Sequence, residues 1–155
     1  MTKKPKFSIA QIDPELFELV KASDKQALAI WAIDCVERVM PYFEEFSPND
    51  NRPRKALETL KNWINSGEFK MSIIRGAALD SHAAAREIDE DIPARSVARA
   101  AGQAVATAHV KTHSLAAAMY CLQAIYRVSE PNLVEQKLID ERLWQYQHLI
   151  ELSKS

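Results

Sequence analysis

The sequence predicts an all-α fold, a single compact bundle of about six or seven helices. Three observations carry that expectation. The 155 residues include only three glycines, Gly67, Gly76 and Gly102, whereas sheet proteins need many turns, and turns of positive φ usually need glycine. Alanine is abundant and is the best helix former. Apolar residues recur with the i, i+3, i+4 rhythm of buried helical stripes.

The elements follow in order. "IDPELFELV" reads as a short opening helix, with Asp13 as cap and Pro14 at the first helical position, where a missing N–H costs nothing. "ASDKQALAIWAIDCVERVMPYFEEF" is the second, with Ser23 and Gln26 spaced as a capping box. Leu28, Trp31, Ala32, Cys35, Val39, Phe43 and Phe46 form its stripe, and Pro41 should kink or end it. In "SPNDNRPRKALETLKNWINSGE" a loop gives way to a helix capped by Asp50 or Asn51. Its core face is Ala56, Leu57, Leu60, Trp63 and Ile64, and Gly67 ends it. "MSIIRGAALDSHAAAREI" turns Ile74, Ala77, Ala78, His82 and Ala85 to one side. The acidic loop "DEDIP" then precedes a helix whose positive end its carboxylates favour.

Residues 93–128 look helical throughout. One helix of that length would run roughly 50 Å at 1.5 Å per residue, whereas a domain of this size should be only about 40 Å across. A break near Lys111–Ser114 is therefore expected, giving two helices packed back to back through Ala98, Ala101, Gly102, Val105 and Ala106. "SEPNLVEQKLIDERLWQYQHLIELS" closes the chain, with Leu138, Leu143, Tyr146 and Leu149 facing inward. No repeat, low-complexity tract or linker divides residues 1–155, so one domain is expected.

Composition narrows the function classes. The 20 basic and 21 acidic residues leave a net charge of -1, which gives no electrostatic case for nucleic acid. The start has lysines but no apolar stretch behind them, so no secretory signal is expected. The longest weakly charged run, Thr112 to Tyr126, falls short of the roughly 20 apolar residues of a membrane span. Cys35 and Cys121 lie inside apolar helical patterns and read as reduced, buried small hydrophobes of a cytosolic protein.

Three sets of residues could carry chemistry. His109 and His113 have the spacing of a helical zinc pair but lack the glutamate of a metalloprotease motif. A third ligand would be needed, with His82, Asp34 and Cys35 as candidates. A break near Lys111 would take the two rings off a common face, leaving interior hydrogen-bonded groups as the alternative. Asp50, Arg52 and Arg54 crowd a helix start, where arginines and terminal N–H groups can hold a carboxylate or phosphate. The alternative there is a cap and a rim of ion pairs. The third set is Asp34, Arg38 and Glu44 on the second helix, with Arg86 on the fourth. An aspartate in an apolar stripe would want Arg38 or a histidine as partner. There is no phosphate loop, nucleophile elbow or paired CxxC, so enzyme activity has no positive sequence support, and no cofactor is implied.

The same stretches carry a family resemblance. Trp31, Asp34 and Cys35, then Pro41 and Phe43, "DNRPRKA", Trp63, the alanine-flanked His82 with Arg86, and "AGQAVATAHVKTHSLAAAMYCLQA" occur in that order. The chain resembles, over roughly residues 26 to 150, small bacterial immunity proteins of polymorphic toxin systems. The first 20 or so residues fall outside the resemblance. It implies a cytoplasmic helical protein that binds and neutralises a cognate toxin domain, with Asp34, Asp50, Arg52, Arg54, His82, Arg86, His109 and His113 as the family's signature positions. "EIDED" and the loop around Asp50 are the charged patches expected to meet such a partner. A different class of function stays open: a small-molecule- or metal-binding protein, or an enzyme, with His82, His109 and His113 converging in one cavity. A purely structural subunit of a larger assembly is the third.

Overall fold

The computed structural model describes residues 3–154. Met1 and Thr2, the first residues of the lysine-bearing start, and Ser155 lie outside them. The described residues form eight helices and no strand: α1 Pro14–Ala22, α2 Lys25–Glu37, α3 Met40–Phe46, α4 Arg52–Ser66, α5 Met71–Arg86, α6 Pro93–Ala106, α7 His113–Val128 and α8 Val134–Ser153. The element beyond the expected six or seven is α3. Pro41, lacking an N–H, cannot continue α2, so it occupies the first turn of a new helix instead.

Local chemistry sets most of the boundaries. Asp13 accepts a 3.0 Å bond from the Glu15 amide, and Pro14 follows it into α1. The cap of α2 is Asp24 rather than the expected Ser23: its carboxylate accepts from the Ala27 amide at 2.7 Å. Ser23 is already engaged at the end of α1, where its hydroxyl donates to the Leu19 carbonyl at 2.7 Å. Asn51 precedes α4 without a side-chain capping bond. At the far end Gly67 takes φ +71°, the left-handed closure that glycine alone enters without strain.

The break in residues 93–128 falls slightly earlier than the sequence suggested. α6 ends at Ala106, and α7 opens on His113. The corner between them is tied to the start of the bundle. Lys111 Nζ donates to the carbonyls of Lys21 (2.6 Å) and Ser23 (3.1 Å), capping α1, and Lys25 Nζ donates to the His109 carbonyl at 3.2 Å.

α6 is the central helix and packs against α5, α7, α4, α3 and α2. Five neighbours need close approach on nearly every side, which explains its burial of Ala94, Ala98, Ala100, Ala101, Gly102 and Ala104. The large core residues stand around it: Trp31, Phe43, Leu57, Leu60 and Leu149 are fully buried. Trp31 donates its indole N–H to the Gln145 carbonyl at 2.8 Å, and the Gln145 amide donates to the Ala118 carbonyl at 3.1 Å. Those two bonds join α2, α8 and α7.

The inward face of α8 differs from the expected one. Leu138 and Leu149 are buried, but Leu143 is 53% exposed. Glu141 and Gln145 take the inward positions instead, because α2 and α7 offer them polar partners. Cys35 and Cys121 are buried free thiols, and burial is the largest cause raising both thiol pKa values. No helix among the described residues is long and apolar enough to cross a membrane.

Candidate functional site

The sequence-selected polar residues fall into three separate groups. The first joins α2 to α8. Asp34 and Arg38, four residues apart, share one helical face and meet different partners across the interface. Asp34 Oδ2 lies 2.7 Å from His148 Nε2. The Arg38 guanidinium donates twice to Glu141, at 2.8 and 2.9 Å, and lies over the Trp144 ring at 3.9 Å. Trp144 in turn stacks on His148 with centroids 4.8 Å apart. The bidentate bond to Glu141 is the main reason the Arg38 pKa is raised. Asp34 also borders a groove of about 280 Å³ with Ile30, Ile33, Lys61 and Ile64.

The second group brackets the start of α4. Asp50 accepts from the Arg52 amide (3.1 Å) and from its guanidinium (2.9 and 2.7 Å), which lowers the Asp50 pKa. Arg52 also reaches Glu87, past the end of α5. Arg54 Nη1 donates to Glu37 of α2 at 2.5 Å, and its other nitrogens donate to Glu44 of α3 at 3.2 and 3.0 Å. Both arginines are therefore neutralised by this chain's own carboxylates and fasten α4 to its neighbours.

The third group lies where α5 meets the α6–α7 corner. His82 presses on α6 at Gly102, where a Cβ would come within 2.8 Å of the imidazole. Its Nδ1 is 3.1 Å from Arg99 Nη1. Burial, then Arg99, Arg86 and His113, hold the His82 pKa below its ordinary 6.5. His113 bonds Gln103 at 2.7 Å through Nδ1, and burial followed by His109 lowers its pKa as well. His109 is exposed and stacks on Phe69, centroids 5.9 Å apart. Arg86 is exposed one turn beyond His82.

The break after α6 separates the two histidines that the sequence places four apart. The structure does not bring His82, His109 and His113 together as ligands: each ring has a different partner. Among the described residues no three His, Cys, Asp or Glu side chains could hold a metal ion together. A groove of about 280 Å³ takes in His109 with Met71, Ile74, Arg75, Ala78 and Ala106, while His82 and His113 lie outside its lining.

Two predictions arise here. Gly102→Ala drives the half-exposed His82 ring off α6 and breaks its contact with Arg99. Stability changes by less than about 1 kcal/mol, since alanine gains helix propensity while the packing is lost. NMR titration should show the His82 pKa rising toward its ordinary value, and an unmoved pKa would mean that the ring is not held by this approach.

The second prediction concerns pH. A histidine with a depressed folded pKa binds protons more readily in the unfolded chain, so acidification favours unfolding. The stability contributed by neutral His82 and His113 is present above the unfolded value of about 6.5 and is lost as pH falls through the folded values. Urea unfolding should show this decline in the native chain, and His82→Gln/His113→Gln should flatten it. An equal slope in both would place the titration elsewhere.

Sequence reasoning missed Glu141, Gln145, Trp144 and His148, all on α8. The available signal was on α2: of the two partners the sequence offered Asp34, Arg38 or a histidine, the structure supplies the histidine, His148, and leaves Arg38 to Glu141. A family described as "Imm-5 like putative immunity protein" matches residues 18–152. No curated protein and no solved structure matches the chain.

Proposed function

The chain belongs to the Imm-5 like immunity-protein family, and from that premise we propose that it binds a cognate bacterial toxin domain and neutralises it by direct contact. The observation that carries this reading is the extent of the match. Residues 18–152 take in nearly all of the bundle, from within α1 to the last turn of α8. The fate of the sequence-selected polar groups supports contact rather than chemistry. Asp34, Arg52 and Arg54 are engaged with side chains from other parts of the bundle, and Asp50 holds Arg52 in place. A rigid helical surface of this kind suits recognition of a folded partner, which costs least when the binder is preorganised. On this reading the protein acts in the cytoplasm of the cell that makes the toxin.

Co-expression with the toxin encoded beside its gene tests the proposal. Cells producing both should grow as well as cells producing neither, and the two proteins should co-purify. Cell death despite full production of the chain would overturn it.

A further inference from the structure

We propose that the outer face of α5, with the adjoining α6–α7 corner, is the surface that holds the toxin, and that the toxin presents carboxylates to it. This rests on the immunity reading above and adds where contact occurs and with what chemistry.

The first observation is how the arginines are used. Of the nine in the chain, Arg38, Arg52, Arg54, Arg95 and Arg127 are ion-paired within the molecule. Arg75, Arg86, Arg99 and Arg142 meet no carboxylate among the described residues. Three of these four fall together. Arg75 and Arg86 are exposed on α5, separated by about 16 Å along the helix, and Arg99 reaches toward α5 to meet His82 between them. The permanent charges that act on His82 are the guanidiniums of Arg99 and Arg86. Glu87, next to Arg86 in sequence, is turned away to Arg52.

The second observation is apolar surface inside this cationic strip. The groove of about 280 Å³ at its N-terminal end is walled by Met71, Ile74, Ala78 and Ala106, with Arg75 and His109 beside them. Leu79, one turn from Arg75, is 53% exposed. Exposed apolar surface that includes methionine and lies beside arginine is the make-up of a protein interface. Nucleic acid would instead be drawn by a continuous basic surface and a net positive charge, and this chain carries -1. In the acidic stretch 87–91 two of the four carboxylates are already paired, Glu87 with Arg52 and Asp91 with Arg95 and Arg127, which leaves only Asp89 and Glu90 to meet a partner.

The test is the affinity of purified full-length protein for the toxin domain encoded beside its gene, measured at low and moderate salt. Arg75→Glu/Arg86→Glu should weaken binding about 100-fold and reduce its salt dependence, because reversing exposed charges sets like against like. Arg142→Glu, equally unpaired but on α8, should change binding by less than about threefold. Should the double glutamate variant fold poorly, Arg75→Gln/Arg86→Gln should weaken binding about tenfold. Native-like affinity in the folded Arg75/Arg86 variants overturns the proposed surface while leaving the immunity reading intact. Failure of the unaltered chain to bind the toxin removes both. A fluorescent DNA duplex bound through Arg75 and Arg86 at physiological salt overturns the acidic-protein assignment in favour of nucleic acid.

Discussion

Replacing Trp31 with alanine lowers the stability of the bundle by about 4 kcal/mol, the range measured for truncating a large buried aromatic. Trp31 is fully buried on α2, and its indole N–H is bonded to α8. The loss has two parts: a cavity on the path that joins α2, α7 and α8, and a lost hydrogen bond. Trp31→Phe separates them, because it keeps most of the apolar volume and removes only the donor. It should cost about 1–2 kcal/mol. Thermal unfolding reads both, since 1 kcal/mol shifts the midpoint of a domain this size by about 2–4 °C. Equal losses in the two variants would mean that the hydrogen bond, not packing, dominates this junction.

The second large effect is an asymmetry across the α2–α8 ion pair. Arg38→Met strands Glu141, whose side chain is only 8% exposed and lies near the buried thiols of Cys35 and Cys121. Breaking a fully buried pair by removing one partner costs about 3–5 kcal/mol. Arg38 is itself 42% exposed, so water relieves part of that, and about 2–3 kcal/mol is expected. Glu141→Leu should cost less, because the freed guanidinium can swing to solvent while remaining near Trp144. The double variant Arg38→Met/Glu141→Leu should recover most of the loss, since an apolar pair of similar volume replaces a desolvated ionic one. A double variant as unstable as Arg38→Met alone would show that lost packing, and not the unpaired carboxylate, is the cost.

The fold was legible where local chemistry decides it. The scarcity of glycine, the cap at Asp13, the stop at Gly67 and the excess length of residues 93–128 each act over a few residues, and the helices follow them. α8 was harder to read for a physical reason. Glu141, Gln145 and His148 look like a solvated face until Arg38, Trp31 and Asp34, more than 100 residues away, are brought against them. Leu143, apolar and expected inward, is displaced to the surface by that pairing. The same holds for the histidines. His109 and His113 suggest a site at a spacing of four, and the helix break between them removes the shared face that the suggestion needed. The Arg75–Arg86 strip was invisible from sequence because charge alone does not say which arginines already have partners.

Stoichiometric titration of the toxin tests neutralisation by contact most directly. Increasing amounts of the purified chain are added to a fixed amount of the active toxin domain, and the toxin's own activity is followed. Binding predicts that activity falls in proportion to added protein, reaches its floor at a fixed molar ratio, and returns when the complex is dissociated. Progressive loss of activity from far less than an equivalent of protein would contradict it, pointing to chemistry performed on the toxin. Full activity at every ratio would contradict it as well.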